Sequence, residues 1–382
     1  MNRIVRTLAV GTAGICAAGA VLADPVPMPA MSGPLAANPN PFSVDAGPLG
    51  KIYVDGALTG LAFWQSNPVP GDQDTRLDLS NGQVFIQKTD GWLQFFVQAG
   101  VYSLPSLGTE YFKSGDIISD TYGVVPQGFV KFVPMDNFSI EAGKLPTLIG
   151  DEYTFTFENM NIERGLLWNQ EPAVSRGVQA NYSNGPFSLA VSWNDGYYSN
   201  VYNWVSGSLA YTIDSANSLS FIGGGNLGRT NKATFATPLN QNNGSIFNLI
   251  YTHTSGPWTI SPYLQYSHVP ADTTLGIVHS ASTYGAALLA NYSFDDNWKL
   301  AGRAEYIKSS GSFTNGAPSL LYGPGSHAWS LTVTPSYQKG IFFARAEASY
   351  TGIGHSAPGF EFGDSFDSSS QARLMLETGI LF

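Results

Sequence analysis

Charged residues are scarce in this chain, and inside its patterned segments they recur two residues apart. Lys299, Arg303 and Glu305 share one parity, as do Arg345 with Glu347 and Arg373 with Glu377; Glu141 is in phase with Ser139 and Gly143. The intervening positions are apolar or small: Leu300, Gly302, Ala304 and Tyr306 in the first set, Phe342, Ala344, Ala346 and Tyr350 in the second. In an extended strand successive side chains point to opposite faces, so each segment presents one charged or polar face and one apolar face. A separate stretch, 147–172, gathers Asp151, Glu152, Glu158, Glu163 and Glu171 around one basic residue, Arg164. The chemistry these groups offer is electrostatic, since carboxylates arrayed on a wall favour cations. Catalytic signatures are missing: there is no G-x-S-x-G, no H-E-x-x-H, no P-loop and no dinucleotide-binding glycine run. Gly363-Asp364-Ser365-Phe366 only superficially resembles an esterase serine block. His253, His268, His279, His327 and His355 lack metal-ligand spacing. Asp72, Asp74 and Asp78 read as an acidic rim. No metal, cofactor or enzymatic role is expected.

The elements that must hold these groups follow from composition. Aromatics make up 13% of the 382 residues and charged residues only 12%, about half the usual charged fraction of roughly 25%. Yet the mean hydropathy is −0.03, so apolar and polar residues alternate finely. Residues 1–23 have a basic start (Arg3, Arg6), an apolar middle and the small residues Val21 and Ala23 before Asp24, the pattern of a secretory signal peptide. Cys16, the one cysteine, lies within it, so the exported chain has no disulfide framework. Loss of Arg3 and Arg6 leaves 16 basic against 28 acidic residues, a net charge of −12, which disfavours nucleic acid as a partner. Residues 24–48 are rich in Pro and Ala and read as a periplasmic lead-in, flexible or extended and without a core.

From Lys51 onward, segments of about ten residues alternate with period two. In 92–102, Leu93, Phe95, Val97, Ala99 and Val101 oppose Gln94, Gln98 and Gly100; in 328–337, Trp329, Leu331, Val333 and Tyr337 oppose Ser330, Thr332, Thr334 and Ser336. Tight-turn residues at Thr89–Gly91, Asp136-Asn137, Asn184-Gly185, Asp214–Asn217, Ser255-Gly256, Asp295–Asn297 and Lys339-Gly340 alternate with longer polar stretches at 65–74, 104–123, 147–172, 194–200, 228–244, 269–279, 309–326 and 352–370. This predicts sixteen antiparallel strands over 49–382, closed into a transmembrane β-barrel with short periplasmic turns and long extracellular loops. No apolar run after residue 23 is long enough for a membrane helix, and only a closed barrel otherwise satisfies the backbone in lipid. Trp92, Trp258 and Trp298 follow short turns while Trp64 and Trp193 lie at the opposite ends, as in interfacial girdles. Phe382, in phase with Leu374, Leu376 and Ile380, is expected to act as the signal read by the barrel-assembly machinery.

A barrel of sixteen strands is too wide for side chains to fill, so the charged face lines a lumen and something must narrow it. The 147–172 stretch is expected to fold inward as that constriction. Phe155, Phe157, Leu166, Leu167 and Trp168 would pin it to the wall, and its acids would face Arg303, Arg345 and Arg373.

The run Gly143-Lys144-Leu145-Pro146-Thr147-Leu148-Ile149-Gly150, then Asn161, Arg164-Gly165-Leu166-Leu167, Ser175-Arg176-Gly177-Val178-Gln179-Ala180 and Leu189-Ala190-Val191-Ser192-Trp193-Asn194-Asp195-Gly196, resembles the β-barrel porins of the OmpL-like family. The resemblance departs at Asn194-Asp195-Gly196-Tyr197, where the family more often has Asn-Gly-Trp. It implies an outer-membrane barrel with channel activity and supplies no substrate. The expected function is therefore passive diffusion of small hydrophilic solutes or ions across the bacterial outer membrane, weakly favouring cations. The alternative is a barrel whose extracellular loops bind, adhere or hydrolyse. Outer-membrane lipid is the expected surroundings. A homotrimer is one assembly consistent with the small outward residues Ala286, Ala290, Gly302, Ala304, Ala344, Ala346 and Ala348.

Overall fold

The computed structural model describes residues 31–382; the signal peptide expected at 1–23 and the start of the lead-in lie outside the described residues. Sixteen antiparallel strands form a closed ring. They run β2 (Lys51–Gln65), β3 (Thr75–Lys88), β4 (Leu93–Tyr102), β5 (Gln127–Met135), β6 (Phe138–Pro146), β7 (Val174–Asn184), β8 (Phe187–Asn194) and β9 (Trp204–Thr212). The series continues with β10 (Asn217–Asn226), β11 (Ser245–Ser255), β12 (Trp258–Val269), β13 (Ala281–Ser293), β14 (Trp298–Ser309), β15 (His327–Lys339), β16 (Phe342–Gly354) and β17 (Ser370–Leu381). Each strand pairs with its sequence neighbours, and β17 closes on β2 with Glu377 opposite Leu61 and Leu381 opposite Ala57. Closure removes the unpaired edges that lipid cannot satisfy. Among the described residues no helix is long and apolar enough to cross a membrane.

One strand was not anticipated. A short β1 (Phe42–Asp45) pairs with the start of β2, Val44 opposite Ile52, in the track that β17 vacates where it ends. The preceding residues 31–36 are no free lead-in either. Leu35 is buried beside Phe96 and Phe343 in one apolar cluster, and Ser32 N donates to the Glu158 carbonyl at 2.8 Å. The lead-in thus enters the barrel from the short-turn side. A Pro- and Ala-rich segment has little core of its own, and its few apolar residues are buried only by borrowing the barrel's interior.

Side-chain alternation sets which face is which. On β17, Leu374 and Leu376 point outward, the latter 62% exposed, while Arg373, Met375 and Glu377 between them are buried. On β16, Ala344, Ala346 and Ala348 point outward and Arg345 and Glu347 inward. The apolar face is outside and the polar face inside, the reverse of a soluble sheet and the arrangement lipid demands. Aromatic pairs mark both rims: Trp258 with Tyr292 (4.7 Å) and Trp298 with Tyr337 (4.9 Å) at the short-turn end, Tyr266 with Tyr284 (5.2 Å) and Trp329 with Tyr350 (5.4 Å) at the long-loop end.

Candidate functional site

The inward charges of β14, β16 and β17 stand on three of four successive strands, and all but Lys299 hold the loop that joins β6 to β7. Wall arginines take loop acceptors. Arg303 donates to Glu152 at 2.5 Å and to the Glu163 carbonyl at 2.8 Å. Arg373 pairs with Glu163 at 2.6 Å. Arg345 reaches the Asn159 and Thr156 carbonyls at 3.1 and 2.9 Å, and also pairs with Glu377. Wall carboxylates take loop donors. Glu347 accepts from Ile162 N at 2.5 Å and Glu163 N at 3.0 Å. Glu305 accepts from Leu166 N at 3.0 Å and Leu167 N at 3.3 Å, with Ser330 Oγ at 2.7 Å. Glu377 accepts from Thr156 Oγ1 at 2.5 Å. All six wall groups are buried, and a buried charge without a partner is costly; the loop supplies those partners.

The loop therefore lies inside the barrel; of its acids Glu152 meets Arg303 and Glu163 meets Arg373, whereas Arg345, expected to face a loop acid, takes only loop carbonyls and pairs with Glu377 of the wall. Apolar packing holds the other sides. Phe155 and Phe157 stack near Phe85 and Tyr102, with ring centroids 5.9 Å apart for Phe85–Phe157 and 5.2 Å for Tyr102–Phe155. Leu166 and Leu167 are fully buried in the cluster that includes Tyr263 and Leu289. A Cβ at Gly165 would displace the Glu305 carboxylate from the Leu166 and Leu167 N–H groups it accepts.

The remaining loop charges have weaker partners. Asp151 accepts from Ser261 Oγ at 2.5 Å, Glu171 from the Tyr263 hydroxyl, and Glu158 from Phe155 N at 2.9 Å. Burial pushes their carboxyls up, Asp151 to about 7 and Glu158 and Glu171 to about 8. Arg164 donates to the Thr154 carbonyl at 2.6 Å and lies over Trp168, 4.5 Å from its ring. Burial lowers its guanidinium to about 10.

Two wall residues lie apart from this network. Glu141 pairs with Lys131 at 3.2 Å across β5 and β6. Lys299 donates to the Pro34 carbonyl and so holds the lead-in. Phe382 pairs with Gly56 through both backbone groups, at 2.8 and 3.0 Å, extending the closure of the ring. Asp72 and Asp78 are not a solvated rim. Asp72 takes Arg76 at 2.9 Å and Tyr111 N at 3.0 Å; Asp78 takes Ser114 N at 2.7 Å, at the start of α1 (Ser114–Asp120). They anchor the loop between β4 and β5, which in turn pairs Ser106 with Arg164 of the inward loop. Among the described residues no His, Asp or Glu group is arranged to hold a metal. Sequence reasoning missed the neutral anchors, Asn81, Gln265 and Tyr263 for the loop and Gln338 for the lead-in. Their inward parity was readable, but which of many inward amides and hydroxyls meets the loop was not.

With this geometry in view, residues 51–382 match the family described as "Putative beta-barrel porin-2, OmpL-like". No curated protein matches the sequence. Among solved structures, the outer membrane channel DcaP of Acinetobacter baumannii is similar at 11% identity and a TM-score of 0.59, over 90% of this chain and 99% of that one. OmpT of Vibrio cholerae matches at 12% identity and a TM-score of 0.58, over 90% and 100%. OmpF of Salmonella typhi, in complex with daunomycin, matches at 14% identity and 0.54, over 89% and 100%. At such identities the likeness is one of fold.

Proposed function

We propose, for a chain that belongs to the OmpL-like family of β-barrel porins and forms a channel barrel of the bacterial outer membrane, that it passes small hydrophilic solutes by passive diffusion and weakly prefers cations. The observation that carries this reading is the imbalance of charge where the inward loop meets the wall. Four guanidiniums, Arg164, Arg303, Arg345 and Arg373, stand against eight carboxyls, Asp151, Glu152, Glu158, Glu163, Glu171, Glu305, Glu347 and Glu377; burial keeps Glu158 and Glu171 mostly neutral and Asp151 partly so near pH 7, so the negative excess is small there and grows as pH rises. Fixed negative charge beside a narrow aqueous path lowers the energy of a passing cation and raises that of an anion.

The loop is tied by ions to β14, β16 and β17. The opposite wall, β6 to β10, turns small polar side chains inward, among them Ser139, Gln179, Ser192, Ser206, Ser208 and Ser220. In this reading the loop is the constriction that sets size and charge. Transport of this kind needs no catalytic group. Delivery by the barrel-assembly machinery, with Phe382 and its outward-facing strand as the signal, and assembly as a homotrimer belong to the same reading.

The test is planar-bilayer recording of the refolded full chain under a KCl gradient. Discrete conductance steps with a reversal potential on the cation side are expected. A detergent-stable barrel without conductance overturns diffusion, and a reversal potential on the anion side overturns the preference.

A further inference from the structure

Most charges of the barrel wall face inward; Lys308 on β14 is an outward exception, and Lys144 and Arg176 form an adjacent outward pair. Lys144 shares the outward parity of Ile140 and Ala142 on β6, and Arg176 that of Val178 and Ala180 on β7. They are direct cross-strand partners, and Gly128 on β5 completes their row. The row below is Val130, Ala142, Val178 and Trp193, all outward; Trp193 is 58% exposed. The row lies at the long-loop end, two residues from the end of β6 and from the start of β7.

Around this pair is a cavity of about 620 Å³ on the outer surface, lined by Lys144, Arg176, Val125, Val178, Trp193 and Tyr202. It exists because Gly128 carries no side chain beside Lys144. Its charge is not balanced from within. Arg176 is paired with Asp195 at 2.7 Å and stacks on Tyr198, 3.9 Å from the ring. Lys144 donates to the carbonyls of Tyr122 and Val125, at 3.0 and 2.7 Å, and lies 5.5 Å from the Tyr198 ring; among the described residues no carboxylate pairs with it. One positive charge is left over.

We propose that this cavity binds an outer-leaflet phosphorylated acyl glycolipid, its phosphate on Lys144 and Arg176 and an acyl chain along Val178 and Trp193. The position selects the occupant. A basic residue on the lipid face costs about 2–4 kcal/mol at the bilayer midplane and about 0–1 near the interface, so the pair is tolerated at this depth. A cation at the interface attracts the anionic group that lives there; Lys144 offers the unbalanced charge, while Arg176, already held by Asp195 and the Tyr198 carbonyl, contributes its remaining N–H groups. Trp193 and Tyr202 present amphipathic rings at the same level, and the apolar floor below them suits hydrocarbon. A soluble anion would use the cations and leave that floor uncovered.

The test is native mass spectrometry of the full chain extracted from outer membranes, with added glycolipid titrated in detergent. Wild type is expected to retain the phosphorylated glycolipid. Lys144→Gln should retain about tenfold less, and Lys144→Arg should restore it. Gly128→Leu fills the cavity without touching a charge; a Cβ there meets nothing closer than 3.5 Å, so the barrel should fold and the lipid be lost. Heat-modifiable gel mobility reports folding of each variant. Equal retention in Lys144→Gln and wild type overturns the proposal. So does inorganic phosphate binding as tightly as the glycolipid, which makes the site a free-anion site. A change in subunit number without a change in bound lipid overturns it in favour of a second copy of this chain.

Discussion

If Glu305 and Glu347 seat the inward loop, replacing both by alanine should release it. Their carboxylates accept four backbone N–H groups, those of Ile162, Glu163, Leu166 and Leu167. A hydrogen bond to a charged group contributes about 1.5–3 kcal/mol, so the four are worth about 6 kcal/mol at the low end. Water entering the vacated space satisfies part of this again, leaving about 3 kcal/mol, a factor of about 100 in the balance between seated and released loop. The ion pairs Arg303–Glu152 and Arg373–Glu163 and the buried phenylalanines remain, so the barrel itself should survive. In planar bilayers the Glu305→Ala, Glu347→Ala double variant should show larger and noisier conductance steps than wild type. The Gln counterparts keep one acceptor oxygen each and should fall between. Steps of wild-type size and quietness in the double alanine variant, with heat-modifiable mobility intact, would refute the argument that these carboxylates position the loop.

Removing residues 31–41 should raise conductance, because Leu35 and the Gln338–Ala36 and Lys299–Pro34 contacts place that segment inside the barrel; an unchanged single-channel amplitude speaks against it. Gly165→Ala should likewise unseat the loop through its clash with the Glu305 carboxylate, read as altered amplitude and destroyed if amplitude and noise match wild type. Cation preference should depend on pH. Asp151, Glu158 and Glu171 are raised to about 7, 8 and 8, so each is largely protonated and neutral below its value and charged above it. The reversal potential under a KCl gradient should therefore move toward the cation side between pH 6 and pH 9, and Glu158→Gln with Glu171→Gln should flatten that change; a pH-independent wild type contradicts it.

The barrel was legible because two local rules repeat along the chain. Period-two alternation put Leu374 and Leu376 on one face and Arg373 and Glu377 on the other, and turn residues such as Asn184-Gly185 and Lys339-Gly340 marked the short ends. The structure places both as read. What local rules cannot give is which inward residues meet across the lumen. The bond from Asn81 to Thr156 spans 75 residues and that from Arg345 to Thr156 spans 189; nothing in their neighbourhoods in sequence records either. Asp72 and Asp78 were misread for the same reason. An acidic cluster beside a loop looks like a solvated rim until the backbone donors Tyr111 N and Ser114 N are brought over by another loop, to join the neighbouring Arg76. The lead-in escaped because its composition argues against an independent core, and it has none; its burial belongs to the barrel.

The parity rule also explains why its exceptions carry information. Inside, a charge is expensive unless partnered, and each inward Arg and Glu of β14, β16 and β17 is partnered by a loop whose own composition is acidic and apolar in the proportions the wall requires. Outside, lipid offers no partner along most of the barrel's height, so a basic residue is expected only where the surroundings supply one. Lys144 and Arg176 sit at the level where lipid phosphates do. One electrostatic requirement, that a charge leaving water must find its complement, thus accounts for the loop held within the barrel and for the basic pair left on its surface.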